Sequence, residues 1–319
     1  MPGWSGGSTA IDAQRLGRFR AALARLDPGG GPLGLAVSGG PDSMAMLLLA
    51  QEAIPGGFAV ATVDHGLRAE AADECALVAA ACAERSVPCA VLRVIVQPGN
   101  VQQQARRARY AALAKWARAN GLAAVATAHH ADDQAETLLL RLNRGSGLTG
   151  LAGVRERGAF GDLTLLRPLL GFRRAELAEV VAAAGLAVAH DPSNADPRYD
   201  RVRMRQALAG CDWLDTAALA RSAAHLADGA EALGWAAARE WDERVARDVG
   251  GVTYRPQAPR AVMLLVVGRI MGELGGEPRG GEVARLIAAL ERGEGGTLGG
   301  VLATVEAGLW RFRAEPPRR

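Results

Sequence analysis

Residues 33–49 read LGLAVSGGPDSMAMLLL, an apolar run of strand length, a Ser-Gly-Gly-Pro-Asp-Ser turn and a second apolar run at helical spacing. No other stretch constrains the fold so tightly. A strand that becomes a helix within six residues needs a corner with little steric bulk, which Gly39 and Gly40 supply. Pro41 suits the first helical turn, where a missing N–H breaks no bond. The free N–H groups of such a helix start converge with the hydroxyls of Ser38 and Ser43 on one spot, a site for a polyphosphate. Asp42 repels phosphate but suits a Mg²⁺ ion bound to it. Ser38, Gly39, Gly40, Pro41, Asp42 and Ser43 are therefore the candidate phosphate contacts, with Asp42 the candidate metal ligand. A Walker-type loop needs Gly-Lys-Ser/Thr, and the sole lysine, Lys115, lies far downstream, so that class is excluded.

At 319 residues the chain has material for a sizeable core and two domains. Hydrophobic residues make up 49% of it, yet no run approaches a membrane span, and the first twenty residues lack the order of a signal peptide. A cytoplasmic enzyme with no membrane partner is expected. Cys75, Cys82, Cys89 and Cys211 form no Cys-x-x-Cys pair, which argues against iron–sulfur, structural zinc and disulfide frameworks. The net charge of +3 does not announce nucleic acid, but 36 of the 37 basic residues are arginine, the side chain that pairs bidentately with phosphate. An Ala-, Gly- and Arg-rich genome would give the same excess.

Beyond the loop, 58–63 (FAVATV) reads as a buried strand running into Asp64-His65-Gly66-Leu67-Arg68. Parallel sheets place ligands at the carboxyl ends of their strands, so Asp64 and His65 join the nucleotide contacts, although Asp-x-Gly is also ordinary turn chemistry. Residues 69–85 read as a helix, 89–96 as a third strand and 101–120 as a long helix carrying ARRARY at 105–110, with Arg106 and Arg109 on one face. A fourth strand at 122–128 delivers His129-His130-Ala131-Asp132-Asp133-Gln134-Ala135-Glu136-Thr137, which continues as a helix to Asn143 and then RGSGLTGL at 144–151. His129 and Asp133 can meet on the first turn of that helix; the spacing is weak as a zinc site, and a capped helix with an acidic first turn would look the same. A strand at 163–167 and a helix at 173–184 close the sheet, and 199–209 reads as a helix with Arg201, Arg203 and Arg205. From about residue 211 the pattern turns Ala-rich and helical, over 216–249, 259–271 and 281–290, ending in a small hairpin at 296–312.

SGGPDS, VDHGLR, ARRARY, AHHADDQAET, RGSGLTGL, RPLL at 167–170 and DPSN at 191–194 together resemble the tRNA(Ile)-lysidine synthetases, short form, within the PP-loop or N-type ATP pyrophosphatases. The resemblance implies an α/β fold, a parallel sheet sandwiched by helices as in adenine nucleotide alpha hydrolases, with a second, smaller, mainly helical domain. The expected division is a catalytic domain at 1–209 and a tRNA-contacting domain at 210–319. It implies ATP and Mg²⁺ as cofactors, and a tRNA(Ile) with a CAU anticodon and L-lysine as partners. A homodimer is a possible assembly. The reaction the resemblance implies adenylates the wobble cytidine at C2 with loss of pyrophosphate, and lysine then displaces AMP. Carried over residue by residue, Asp42, Arg109, His129, Asp133, Arg201 and Arg205 are the catalytic candidates, Gly145 joins the ATP contacts, and Asp133 is placed to take the lysine proton. Arg144, Ser146 and the second domain are candidates for tRNA. The chain departs from the family where Val202 stands in place of the usual asparagine. A tRNA thiolase lacking its Cys-x-x-Cys pair, an amidotransferase-type synthetase with no room for a glutaminase, and a non-catalytic tRNA-binding protein are the alternatives.

Overall fold

The computed structural model describes residues 11–315 apart from 28, 67–69, 97–100, 190–195 and 279. Leu67 and Arg68 of VDHGLR, and DPSN at 191–194, lie outside the described residues. In chain order the first elements are α1 (Ala13–Leu26), β1 (Leu33–Ala36), α2 (Pro41–Ala53), β2 (Phe58–Asp64), α3 (Glu70–Glu84), β3 (Cys89–Arg93), α4 (Val101–Ala119), β4 (Ala124–Thr127), α5 (Ala131–Asn143), α6 (Leu148–Leu151), β5 (Arg157–Phe160), β6 (Leu163–Leu166), α7 (Arg174–Ala183) and α8 (Asp200–Ala209). Then come α9 (Thr216–Arg244), β7 (Val245–Asp248), β8 (Gly251–Tyr254), α10 (Arg260–Glu273), α11 (Gly280–Glu291), β9 (Gly296–Leu298), β10 (Val301–Glu306) and β11 (Leu309–Ala314). Two structural units emerge, 1–145 with 153–224, and 146–152 with 225–319, the division falling inside α9.

The first unit is built on a six-stranded sheet of order β3-β2-β1-β4-β6-β5. Its strands pair in parallel except β5, which runs antiparallel to β6. β1 and β4 are buried at every position, as expected of strands covered on both faces. On one face Phe19 of α1, the apolar run of α2, Val78 of α3 and Leu177 of α7 form one core cluster; on the other, Tyr110, Leu113 and Trp116 of α4 form a second. α2 buries every residue from Ser43 to Ala50, which explains why its apolar residues are not confined to one stripe. Gly34 has its own cause: a Cβ there would lie 2.7 Å from the Trp116 ring. The antiparallel β5 is an addition to the expected sheet. It is an edge strand of alternating exposure.

The second unit has helices α10 and α11 and a five-stranded antiparallel sheet of order β7-β8-β11-β10-β9. Of that sheet only the 296–312 hairpin is foreseen by the sequence reading. The helix expected to reach 249 stops at Arg244 and the chain turns back as β7 and β8. Tyr254, Ile270, Ile287 and Phe312, each fully buried, knit sheet and helices into one core.

Candidate active site

β1 leads to β2 on one side and borders β4 on the other, so the loops after β1 and β4 diverge and open a crevice at their carboxyl ends. The SGGPDS loop lines it. Gly39 takes φ +87°, and a Cβ there would stand 3.2 Å from Ala189 Cβ and 3.4 Å from the Glu74 carbonyl oxygen, so both its conformation and its surroundings demand glycine. Gly40 caps α2 and Pro41 begins it, as read. The Ser38 N–H donates to Ser43 Oγ at 3.1 Å and that hydroxyl donates to the Gly40 carbonyl at 2.9 Å, which closes the loop into a ring of its own hydrogen bonds.

A cavity of about 450 Å³ opens beside the loop. Its floor is Ala36 and Ala61, small enough to admit a flat ring, and its walls include His65, Glu74, Arg106, Arg109 and Tyr110. The Arg106 guanidinium lies 5.0 Å from the Tyr110 ring centroid. Removal from solvent pushes the Arg109 pKa down, and Arg106 adds to that. Two cations thus share one wall. Asp64, by contrast, accepts the Gly66 N–H at 2.9 Å in a turn.

On the other side of the loop stands His130, 1% exposed and centred among carboxylates. Nε2 lies 3.4 Å from Asp42 Oδ2 and 3.6 Å from Asp133 Oδ2, and Nδ1 lies 3.4 Å from Asp132 Oδ2. Burial disfavours its charge, but Asp132, Asp42 and Asp133 outweigh it and push its pKa up to about 9. Asp132 is drawn down to about 2: burial opposes this, and His130 and the Arg174 N–H at 2.8 Å overcome it. The other Asp42 oxygen, Oδ1, is buried with no hydrogen-bond partner among the described residues. An orphaned carboxylate oxygen beside a phosphate loop fits a divalent cation that completes its shell with phosphate and water.

His129 points elsewhere. Its Nδ1 lies 2.9 Å from Thr127 Oγ1, and burial, opposed by Asp133 and reinforced by Arg167, Arg109 and Arg106, lowers its pKa to about 4, so the ring is neutral at pH 7. Glu136, 1% exposed, holds Arg205 of α8 through Nε–Oε1 at 2.8 Å. Burial opposes the charge of Arg205, and Glu136, Asp133 and Asp42 raise its pKa, which places its guanidinium in the field of the carboxylate cluster.

The structure therefore gathers Asp42, Asp133 and Arg205, and sets Ser38, Gly40, His65 and Arg109 around the adjacent cavity. Arg201 is exposed and lies within electrostatic reach of Arg141. Gly145, at φ +64°, and Arg144, paired with Asp200 at 2.8 Å, lie in and just before the turn that ends α5. Ser146 belongs to the second unit. His130, Asp132 and Glu136 were not singled out by sequence; they lie inside the AHHADDQAET segment, and the i, i+3 spacing of Asp133 and Glu136 carried the signal.

Fold and site define an ATP-binding PP-loop protein. The PP-loop domain model matches residues 15–210. A U34-tRNA thiolase, NcsA from Methanococcus maripaludis, solved with its [4Fe-4S] cluster, superposes with a TM-score of 0.53 over 69% of this chain and 80% of its own at 14% identity, a likeness of fold alone. Curated relatives carry the rest: the tRNA(Ile)-lysidine synthase of Novosphingobium aromaticivorans is 50% identical over 95% of this chain and 94% of its own, and that of Zymomonas mobilis 41% identical over 92% and 91%. The chain belongs to the tRNA(Ile)-lysidine synthase family.

Proposed function

We infer that the protein ligates L-lysine to C2 of the wobble cytidine of a tRNA(Ile) with a CAU anticodon, through an adenylated intermediate, releasing pyrophosphate and AMP. The observation that carries this reading is the pairing of a phosphate loop with the Asp42–His130–Asp133 cluster at one crevice, in a chain half identical to a named lysidine synthase. Mg²⁺ held by Asp42 Oδ1 would neutralise the departing pyrophosphate. The loop N–H groups hold the phosphates, and the cavity floor takes the adenine.

Arg109 and Arg205 meet charge that grows on the α-phosphate as the cytidine C2 oxygen attacks, the mode by which phosphoryl-type transfers are mainly accelerated. His129, neutral and tethered to Thr127, donates or accepts a hydrogen bond without adding charge. In the second step the lysine ε-amine must shed a proton before it attacks C2, and Asp133 accepts it. The target base has to leave its stack to reach the crevice, and the anticodon loop is already single-stranded, which lowers that barrier. Residues 210–319 are assigned to tRNA contact, and the enzyme to the cytoplasm; no helix among the described residues is long and apolar enough to cross a membrane.

The test is pyrophosphate release with Mg²⁺, tRNA and lysine each omitted in turn. Release should depend on a CAU-anticodon tRNA(Ile). Equal turnover with bulk tRNA lacking that species would overturn the assignment.

A further inference from the structure

The outer half of the α5–α8 seam gathers arginines that the reaction above does not use. Two ion pairs fix how the helices run: Arg205 on Glu136 at 2.8 Å at the inner end, and Arg144 on Asp200 at 2.8 Å at the outer end. The helices are antiparallel, and Arg141 and Arg201 fall along them between those pairs. Arg141 Nη1 donates to the Gly153 carbonyl at 3.1 Å, which anchors it beside the segment leading to Arg155. The Arg141 guanidinium feels the other two: burial lowers its pKa, and Arg201 and Arg155 lower it further. The carboxylate at the outer end, Asp200, is already shared between Arg144 and Arg203. At the same end Tyr199, which precedes α8, leaves its side chain 38% exposed, and Leu142 is 50% exposed.

We propose that Arg141, Arg155 and Arg201, with the exposed Tyr199 at the start of α8, form a contact for single-stranded RNA, the arginines taking backbone phosphates and the tyrosine stacking on a base. The proposal rests on the reading that RNA is the substrate. Phosphate is the anion whose geometry guanidinium matches, and repeated phosphates answer a repeated cation. The alternative source, the phosphates of ATP, is already supplied on the cavity side by Arg106 and Arg109 of α4. Arg201 lies one helical turn, about 6 Å, from Arg205, so a strand held here enters the crevice next to the reacting groups. An exposed aromatic at the start of an arginine-bearing helix is a surface that unpaired bases can stack on irrespective of sequence.

The experiment is anisotropy titration of a CAU-anticodon tRNA(Ile) transcript with the full chain across a KCl series, with ATP affinity measured alongside. Each phosphate contact contributes about 0.7 to the slope of log affinity against log salt for a single strand. Arg141→Gln, Arg155→Gln and Arg201→Gln should each lower that slope by about this amount and leave ATP affinity unchanged. Tyr199→Ala should weaken RNA binding about tenfold with no change in slope, and Tyr199→Phe should restore it. Arg201 and Tyr199 are exposed, so their variants report even if Arg141→Gln fails to fold. Unchanged slopes in a chain whose pyrophosphate release still requires tRNA would overturn the cluster alone. Loss of ATP affinity in place of RNA affinity would also overturn it, by reassigning the arginines to the nucleotide. A wild-type chain that fails to bind the tRNA would overturn both readings.

Discussion

Arg205→Met should separate the two things that Arg205 does. The Glu136 carboxylate it holds is 2% exposed at the side chain and Arg205 31%, so the pair is largely shielded from water. Removing one partner of a buried pair costs about 3–5 kcal/mol, because a charge is left without compensation. Allowing for the exposure of Arg205, we expect Arg205→Met to lose about 3 kcal/mol.

Adding Glu136→Gln removes the stranded charge and should recover most of that stability. It should not recover turnover, which the loss of a charge-neutralising arginine lowers on the order of 10²- to 10³-fold. Urea titrations and steady-state pyrophosphate release on the folded fraction decide it. Arg203→Ala is the control, since Arg203 is exposed and pairs with Asp200 at the surface, where such pairs contribute at most about 1 kcal/mol. A double variant with restored stability and restored turnover would refute a catalytic role for Arg205. An Arg205→Met variant as stable as the parent, or one that Glu136→Gln does not rescue, would refute the buried-charge argument.

Asp42→Asn keeps the side-chain volume and removes the proposed cation ligand; turnover should fall at least about a hundredfold at an unchanged melting temperature, and undiminished turnover would refute that ligand role. His129, with a folded pKa of about 4 against about 6.5 unfolded, refuses a proton that the unfolded chain accepts, so stability should be flat above pH 6.5 and fall by on the order of 3 kcal/mol as pH drops toward 4. His129→Gln should flatten that acid arm in thermal melts, and parallel losses in both proteins would contradict the assignment. Val202 is 6% exposed on the buried side of α8, so Val202→Asn buries an amide and should cost about 1–3 kcal/mol in a denaturant melt; an unchanged midpoint would mean that the amide finds partners.

The strand–turn–helix at 33–49 was legible because every local rule agrees there: an apolar run, glycines at the corner, Pro41 at the first helical position and an apolar helix behind it. The helix at 200–209 was legible too, and its spacing sets Arg201 and Arg205 one turn apart. What that pattern could not carry was the partner across the seam. Periodicity reports which face a residue lies on, and only the packing of α5 on α8 selects Glu136 for Arg205 and leaves Arg201 at the surface. Likewise His129 and His130 are adjacent and chemically identical in sequence; opposite faces of one turn make one neutral among arginines and the other cationic among carboxylates. Residues 245–254 failed differently, since Val245-Ala-Arg-Asp fits the end of a helix as well as a short strand, and its pairing with β8 is decided by the turn before Gly251 and by β11 beyond it.

That division of charge organises the crevice. Arg106 and Arg109 come from α4 on the cavity side, whereas Asp42 and Asp133 come from α2 and α5, the helices that start at the switch point. Two carboxylates facing one crevice repel, and the His130 imidazolium between them offsets that repulsion without leaving the core. A reaction of two steps asks for both signs. The first gathers negative charge at phosphorus and is served by guanidinium and helix N-termini; the second takes a proton from an ammonium and is served by a carboxylate. Placing the two sets on separate elements keeps them from neutralising each other in salt bridges, and Arg205 reaches the anionic side only because Glu136 holds it from beneath. Loss of Glu136 should therefore disturb the reacting centre before the nucleotide site: Glu136→Gln alone should slow adenylation of the tRNA, where Arg205 meets the growing charge, more than it weakens ATP binding, as single-turnover measurements would resolve. A variant that lost ATP affinity first would show that Arg205 serves the phosphates from its resting place.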